Sequence, residues 1–94
     1  MPERTILFEV FGKVQGVFFR KYTQKKALEL DLAGWCLNTD RKSAQGAACG
    51  EAAAVAQFSI WLATIGSPKS KIKRAEIVDA EDVGELPRPF EIRR

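Results

Sequence analysis

The order in which hydrophobic periodicity changes along the chain is the strongest constraint on its fold. Thr5 to Phe11 (T-I-L-F-E-V-F) is dense in β-branched and aromatic residues and ends at Gly12, so it reads as a strand covered largely on both faces. A loop from Lys13 to Phe19, containing Gly16, follows. From Arg20 to Leu32 the period turns helical: Phe19, Thr23, Ala27 and Leu30 recur at spacings of four, four and three and share one face. Ala33 to Asn38 (A-G-W-C-L-N) is a short second strand. The polar run Thr39-Asp40-Arg41-Lys42 then turns the chain back into a weak third strand, Ser43 to Cys49.

Gly50-Glu51 introduces a second helix whose stripe of Val55, Phe58, Leu62 and Ile65 belongs to the core, and Gly66-Ser67-Pro68 stops it. Lys71 to Val78 is a fourth strand. A polar stretch with Asp79, Glu81 and Asp82 leads past Pro87 and Pro89 to a short terminal strand, Phe90 to Arg94. Strand, helix, strand, strand, helix, strand is the split βαββαβ, ferredoxin-like arrangement. The expected architecture is an α/β (α+β) sandwich: two helices on one face of a mainly antiparallel sheet, with a fifth strand appended. With 94 residues, positions 1–94 are expected to form a single domain around one modest core.

Composition excludes several chemistries. The chain has no histidine, so Ser-His-Asp triads, Cys-His dyads, phosphohistidine chemistry and histidine metal sites cannot be assembled from it alone. Its two cysteines, Cys36 and Cys49, form neither a CxxC nor a four-ligand zinc set and read as reduced core residues; a disulfide would require their strands to align them. The net charge of +3 is compatible with small anions but too diffuse to announce a nucleic-acid binder. No apolar run approaches the roughly 18 to 20 residues that span a bilayer, and Met1-Pro2-Glu3-Arg4 opens without a signal-peptide core, so a cytoplasmic location is expected.

The loop Lys13 to Arg20 breaks local rules. Arg20 falls at the positive end of the first helix, where unpaired N–H groups and the dipole disfavour a cation. A glycine-containing loop that runs from a strand into a helix can aim several N–H groups at one oxyanion, and an arginine beside them adds a bidentate fork. Phosphate is the natural occupant; the bland alternative is a solvated surface arginine. In a split βαβ the first two strands are parallel, so Gly12 and Asn38 emerge at the same end of the sheet. A carboxamide there can hold a water without repelling a negative substrate as a carboxylate would. Standing alone, Asn38 would simply terminate a strand before a turn.

At these positions Gly12-Lys13-Val14-Gln15-Gly16-Val17-Phe18-Phe19-Arg20 resembles the acylphosphatase signature G-x-V-Q-G-V-x-F-R, and Gly34-Trp35-Cys36-Leu37-Asn38-Thr39 is similar to the second motif of that family. The likeness continues through Gly46, Gly50 and Gly66-Ser67-Pro68 and so covers nearly the whole chain. The resemblance implies hydrolysis of acyl phosphates to a carboxylate and inorganic phosphate, with no metal and no cofactor, by a monomer that uses neither nucleic acid nor membrane. It implies that Arg20 binds substrate and acts in catalysis. The backbone of Gln15, Gly16, Val17, Phe18, Phe19 and Arg20 would cradle the phosphate, Asn38 would orient the attacking water, and inorganic phosphate would compete as product.

Lys42 and Ala44 stand where the family usually has glycine and valine, and Ala47-Ala48-Cys49 makes a thin third strand. If that glycine served a positive-φ turn, Lys42 lowers stability and could displace Asn38. Two rival readings follow: a non-catalytic anion-binding module that keeps the cradle, and RNA binding through Lys69, Lys71, Lys73 and Arg74. RNA readers of this fold stack bases on aromatic residues of the third strand, and Ser43 to Cys49 has none. Lysines there also suit a solvated strand edge. Glu9, Asp31 and Glu51 read as solvated or cap-related rather than as an acid-base pair.

Overall fold

The structure, a computed structural model, describes residues 3–16, 18–81 and 83–93. Val17 of the expected cradle, Asp82 and Arg94 lie outside them. The elements run β1 (Glu3–Lys13), α1 (Phe19–Glu29), β2 (Ala33–Asn38), β3 (Ser43–Glu51), α2 (Ala52–Thr64), β4 (Lys71–Asp79) and β5 (Glu91–Ile92). They form one sheet in the order β4-β1-β3-β2-β5, antiparallel except for the β2–β5 pair. Because β1 and β2 both run antiparallel to β3, they are parallel to each other, and the loop after β1 and the end of β2 meet at one end of the sheet. This is the βαββαβ arrangement, with both helices packed against the sheet.

The core lies between sheet and helices. Ile6, Phe8 and Val10 of β1 are buried against Val55, Phe58 and Leu62 of α2, with Phe58 stacked on Trp61 and meeting Phe8 edge-on. Fully burying one such ring stabilises the fold by roughly 1.5 to 3 kcal/mol. β1 is therefore covered on one face only: Leu7 is 38% exposed, and Glu9 and Phe11 are half-buried. An apolar-rich composition concealed an alternating strand, because two of its outward positions, Leu7 and Phe11, are also large and apolar.

β3 is not the weak strand expected. It pairs along its length with β1 from Glu3 to Phe11 and with all of β2, which makes it the centre of the sheet. Its small residues have a packing reason. A side chain at Gly46 would run into the Phe8 ring, and Ala44 and Ala48 are fully buried in the core. Ile65 also departs from expectation. It caps α2 and is 63% exposed, while Trp61 takes the fourth inward place. The apolar spacing continued past the last residue of the helix.

α1 ends at Glu29 rather than Leu32. Asp31 turns left-handed at φ 57, so that the Asp31 N–H reaches the Leu28 carbonyl and the Leu32 N–H reaches the Ala27 carbonyl, a Schellman-type closure that buries Leu32. The terminal strand shrinks to Glu91–Ile92 because Phe90 leaves the sheet edge to fill the core. β4 is an edge strand and carries Lys71, Lys73 and Arg74 in solvent.

Lys42 sits at φ 60 in the β2–β3 turn. The turn nevertheless closes: the Thr39 N–H donates to the Ser43 carbonyl, and the Thr39 hydroxyl accepts from the Arg41 and Ser43 N–H groups. Relief of the left-handed strain, partly offset by glycine's greater unfolded freedom, makes Lys42→Gly more stable by about 0.5 to 1 kcal/mol. For a domain of this size the melting temperature rises by about 2 to 8 °C, readable in a thermal melt.

Candidate active site

The site begins where β1 ends. The register slips between Phe11 and Gly12, and Gly12 takes φ 128 where a side chain would collide with the Lys71 carbonyl of β4. The first glycine of the motif thus serves strand packing. Gly16 has another role: it sits at φ 74 with open space where a Cβ would project, which lets a ligand approach the backbone closely. Phe18 then turns left-handed at φ 59, and α1 starts at Phe19 with no side-chain cap and no acidic residue in its first turn. The leading N–H groups of α1 have no intrahelical partner. Phe19 anchors this end by burying its ring against Trp61.

Arg20, the second residue of α1, and Asn38, the last of β2, line one open cavity of about 410 Å³ together with Gly16, Phe18, Lys21 and Ile92. Arg20 Nη1 donates to the Arg93 carbonyl at 3.2 Å. That engages one of five guanidinium donors. Asn38 Oδ1 is buried and has no hydrogen-bond partner among the described residues. Buried acceptors are nearly always satisfied, so an unpaired one on a cavity wall marks a place where a water or ligand group is held.

Gln15 contributes a side chain as well as the backbone expected of it. Its side-chain Nε2 donates to the carbonyls of Thr39 at 2.9 Å and Ser43 at 3.1 Å, tying the loop after β1 to the hairpin that carries Asn38. Behind that hairpin, Glu9 is not solvated. Its carboxylate accepts from the Ser43 hydroxyl and the Arg41 guanidinium, and its side chain is 15% exposed. Glu51 occupies the α2 cap position without a side-chain hydrogen bond, and Asp31 pairs with Arg88 in solvent. Sequence reasoning also left out Lys21 and Ile92. Two successive cations in a first turn lacking any acid were a usable signal for Lys21; nothing local pointed to Ile92.

Beneath the site, Cys36 faces the core. Burial pushes its thiol up to about 12, against the opposing pull of the nearby Arg20 guanidinium. Cys36 pairs with Gly46 and Cys49 with Ala33, so the two sulfurs are not aligned, and both are free. The neutral Cys36 thiol is no nucleophile. A thiol reagent at pH 8 is expected to label half-buried Cys49 promptly and Cys36 only as the protein opens. The unfolded thiol ionises near its ordinary value of about 8.5 and the folded one higher. The contribution of Cys36 to stability is therefore complete below that value and lost as pH rises toward about 12. Denaturant midpoints across this range should fall less steeply in Cys36→Ala.

Fold and site together define an α/β sandwich with a cationic cavity at a helix N-terminus and, among the described residues, an unpaired carboxamide oxygen on its wall. The acylphosphatase family model matches residues 6–92. Acylphosphatase-1 of Gallus gallus is 49% identical over 88 residues, which is 93% of this chain and 89% of that protein. The Homo sapiens Acylphosphatase-1 is 53% identical over 68 residues, 72% of this chain and 69% of that one. The solved structure of an acylphosphatase from Coxiella burnetii superimposes with a TM-score of 0.88 at 36% identity, covering 97% of this chain and 93% of that chain. The chain belongs to the acylphosphatase family.

Proposed function

We propose that the chain is a metal-independent acylphosphatase, hydrolysing the mixed anhydride of a carboxylic acid and phosphate, with Arg20 and Asn38 as its catalytic residues. The carrying observation is that these two side chains, which stand on different elements, line one cavity and bring a fixed cation and an unpaired buried acceptor to the same place. Arg20 and the backbone N–H groups from Gln15 to Arg20 hold the phosphoryl oxygens. Asn38 Oδ1 accepts a hydrogen bond from water and so turns the water oxygen toward phosphorus. The new bond forms between that oxygen and phosphorus as the bond from phosphorus to the acyl oxygen breaks. The carboxylate leaves with the bonding pair, and the water protons end on phosphate and solvent.

Such a leaving group needs no protonation and no covalent intermediate, so positioning and charge stabilisation suffice. That is the support for working without a metal. On this reading the enzyme works as a monomer in the cytosol, where its two cysteines stay reduced. Residues 1–94 act on this reading as one domain, since both helices and strands β1 to β4 pack on one core and β5 joins the same sheet.

The test is phosphate release from benzoyl phosphate, with and without chelator and with added inorganic phosphate. The expected result is turnover far above the spontaneous rate, unaffected by chelator and competitively inhibited by phosphate. Phosphate binding without turnover would instead establish a non-catalytic anion-binding module.

A further inference from the structure

We propose that the Phe18 side chain determines acyl-group specificity, receiving the ring of an aromatic acyl phosphate at the mouth of the cavity. The inference rests on the acylphosphatase reading and deepens it by naming the preferred substrate class. At 72%, Phe18 is the most exposed large hydrophobic residue among those described. It also holds φ 59, ψ 26, a backbone conformation in which glycine or asparagine is at ease and a bulky L-residue is rare. Neither burial nor helix capping accounts for a phenylalanine there, since α1 gains no side-chain cap from it.

Its place in the cavity does account for it. The wall is divided: Arg20, Lys21 and Asn38 supply polar groups, while Val14, Phe18 and Ile92 supply apolar surface. A cavity of about 410 Å³ exceeds what a phosphoryl group fills. The acyl portion of the substrate must occupy the remainder, beside the apolar residues. An exposed phenyl ring favours a second aromatic ring in offset or edge-on packing. A methyl group offers it little surface.

The experiment compares kcat/KM for benzoyl phosphate and acetyl phosphate in the full chain, in Phe18→Asn and in Phe18→Tyr. Any general damage to the cradle lowers both substrates together and cancels in the ratio, and asparagine tolerates the left-handed backbone. The benzoyl-to-acetyl ratio should fall about five- to tenfold in Phe18→Asn and stay within about twofold in Phe18→Tyr, as expected for one aromatic pair. A ratio unmoved in Phe18→Asn, or lost equally in Phe18→Tyr, would overturn the assignment. On the unsubstituted protein, benzylphosphonate should compete about five- to tenfold more tightly than methylphosphonate; equal inhibition counts against it. Failure of the unsubstituted chain to hydrolyse either acyl phosphate defeats the acylphosphatase reading itself. A constant ratio in an active enzyme defeats only the role of Phe18.

Discussion

Arg20→Gln is expected to lose about a thousandfold or more in kcat/KM, with phosphate inhibition weakened in parallel. Removing one donor to a developing oxyanion costs roughly 2.7 to 4 kcal/mol, and removing a charged fork from a phosphoryl group costs up to about 10⁵ in rate. Arg20 also stands where the free N–H groups of α1 already favour an anion, so in the proposed mechanism its charge and the helix end act on the same phosphoryl oxygens. Glutamine keeps two donors but no charge. The fold should survive, because the one hydrogen bond given up, to the Arg93 carbonyl, is exposed, and Phe90 still holds β5 through the core. The melting curve is therefore expected to shift by less than about 1 kcal/mol in stability. Steady-state kinetics with phosphate as inhibitor check the first part and a thermal melt the second. Loss of activity with unchanged phosphate affinity would remove Arg20 from the binding role.

Asn38→Ala divides differently between binding and turnover. Asn38 Oδ1 has no partner among the described residues, so alanine breaks no hydrogen bond seen to that oxygen. The proposed phosphate cradle in the loop after β1 is untouched, and KM and the phosphate inhibition constant should change by no more than about threefold. kcat should fall about a hundred- to a thousandfold, the usual size for losing an interaction made only as the water attacks. Asn38→Asp is the sharper control. It restores an acceptor of similar shape but adds a negative charge beside an anionic substrate, so KM should rise as well as kcat fall. Full kcat in Asn38→Ala would rule out the water-positioning role.

Much of the fold was legible in the sequence because its elements differ in period. β2 occupies Ala33–Asn38 as read, and the second helix follows Gly50-Glu51, because short runs bounded by polar turns leave few alternatives. The placement of Arg20 and Asn38 on one cavity followed from topology: a split βαβ must deliver both strand ends to the same side of the sheet. Other features depend on distant neighbours. Leu7 and Phe11 share the composition of a strand buried on both faces, yet no layer covers their side of the sheet. Ile65 keeps the helical spacing but is the cap, one residue past the end of α2, where its side chain turns out to solvent. Glu9 meets Ser43 and Arg41 across 34 and 32 positions of sequence, a meeting fixed by the β1–β3 register rather than by any local pattern. Gln15 was singled out for its backbone, while its side chain does the bracing, because a carboxamide that binds two carbonyls two strands away leaves no periodic trace.

Attack by water on phosphorus, rather than on the acyl carbon, is what the pairing of Arg20 with Asn38 requires. Hydrolysis of benzoyl phosphate in water enriched in oxygen-18, followed by mass spectrometry of both products, separates the two directly. One labelled oxygen in inorganic phosphate and none in benzoate is the predicted result. Label in the benzoate carboxyl group would place the nucleophile on the wrong atom and contradict a site built to hold a phosphoryl group.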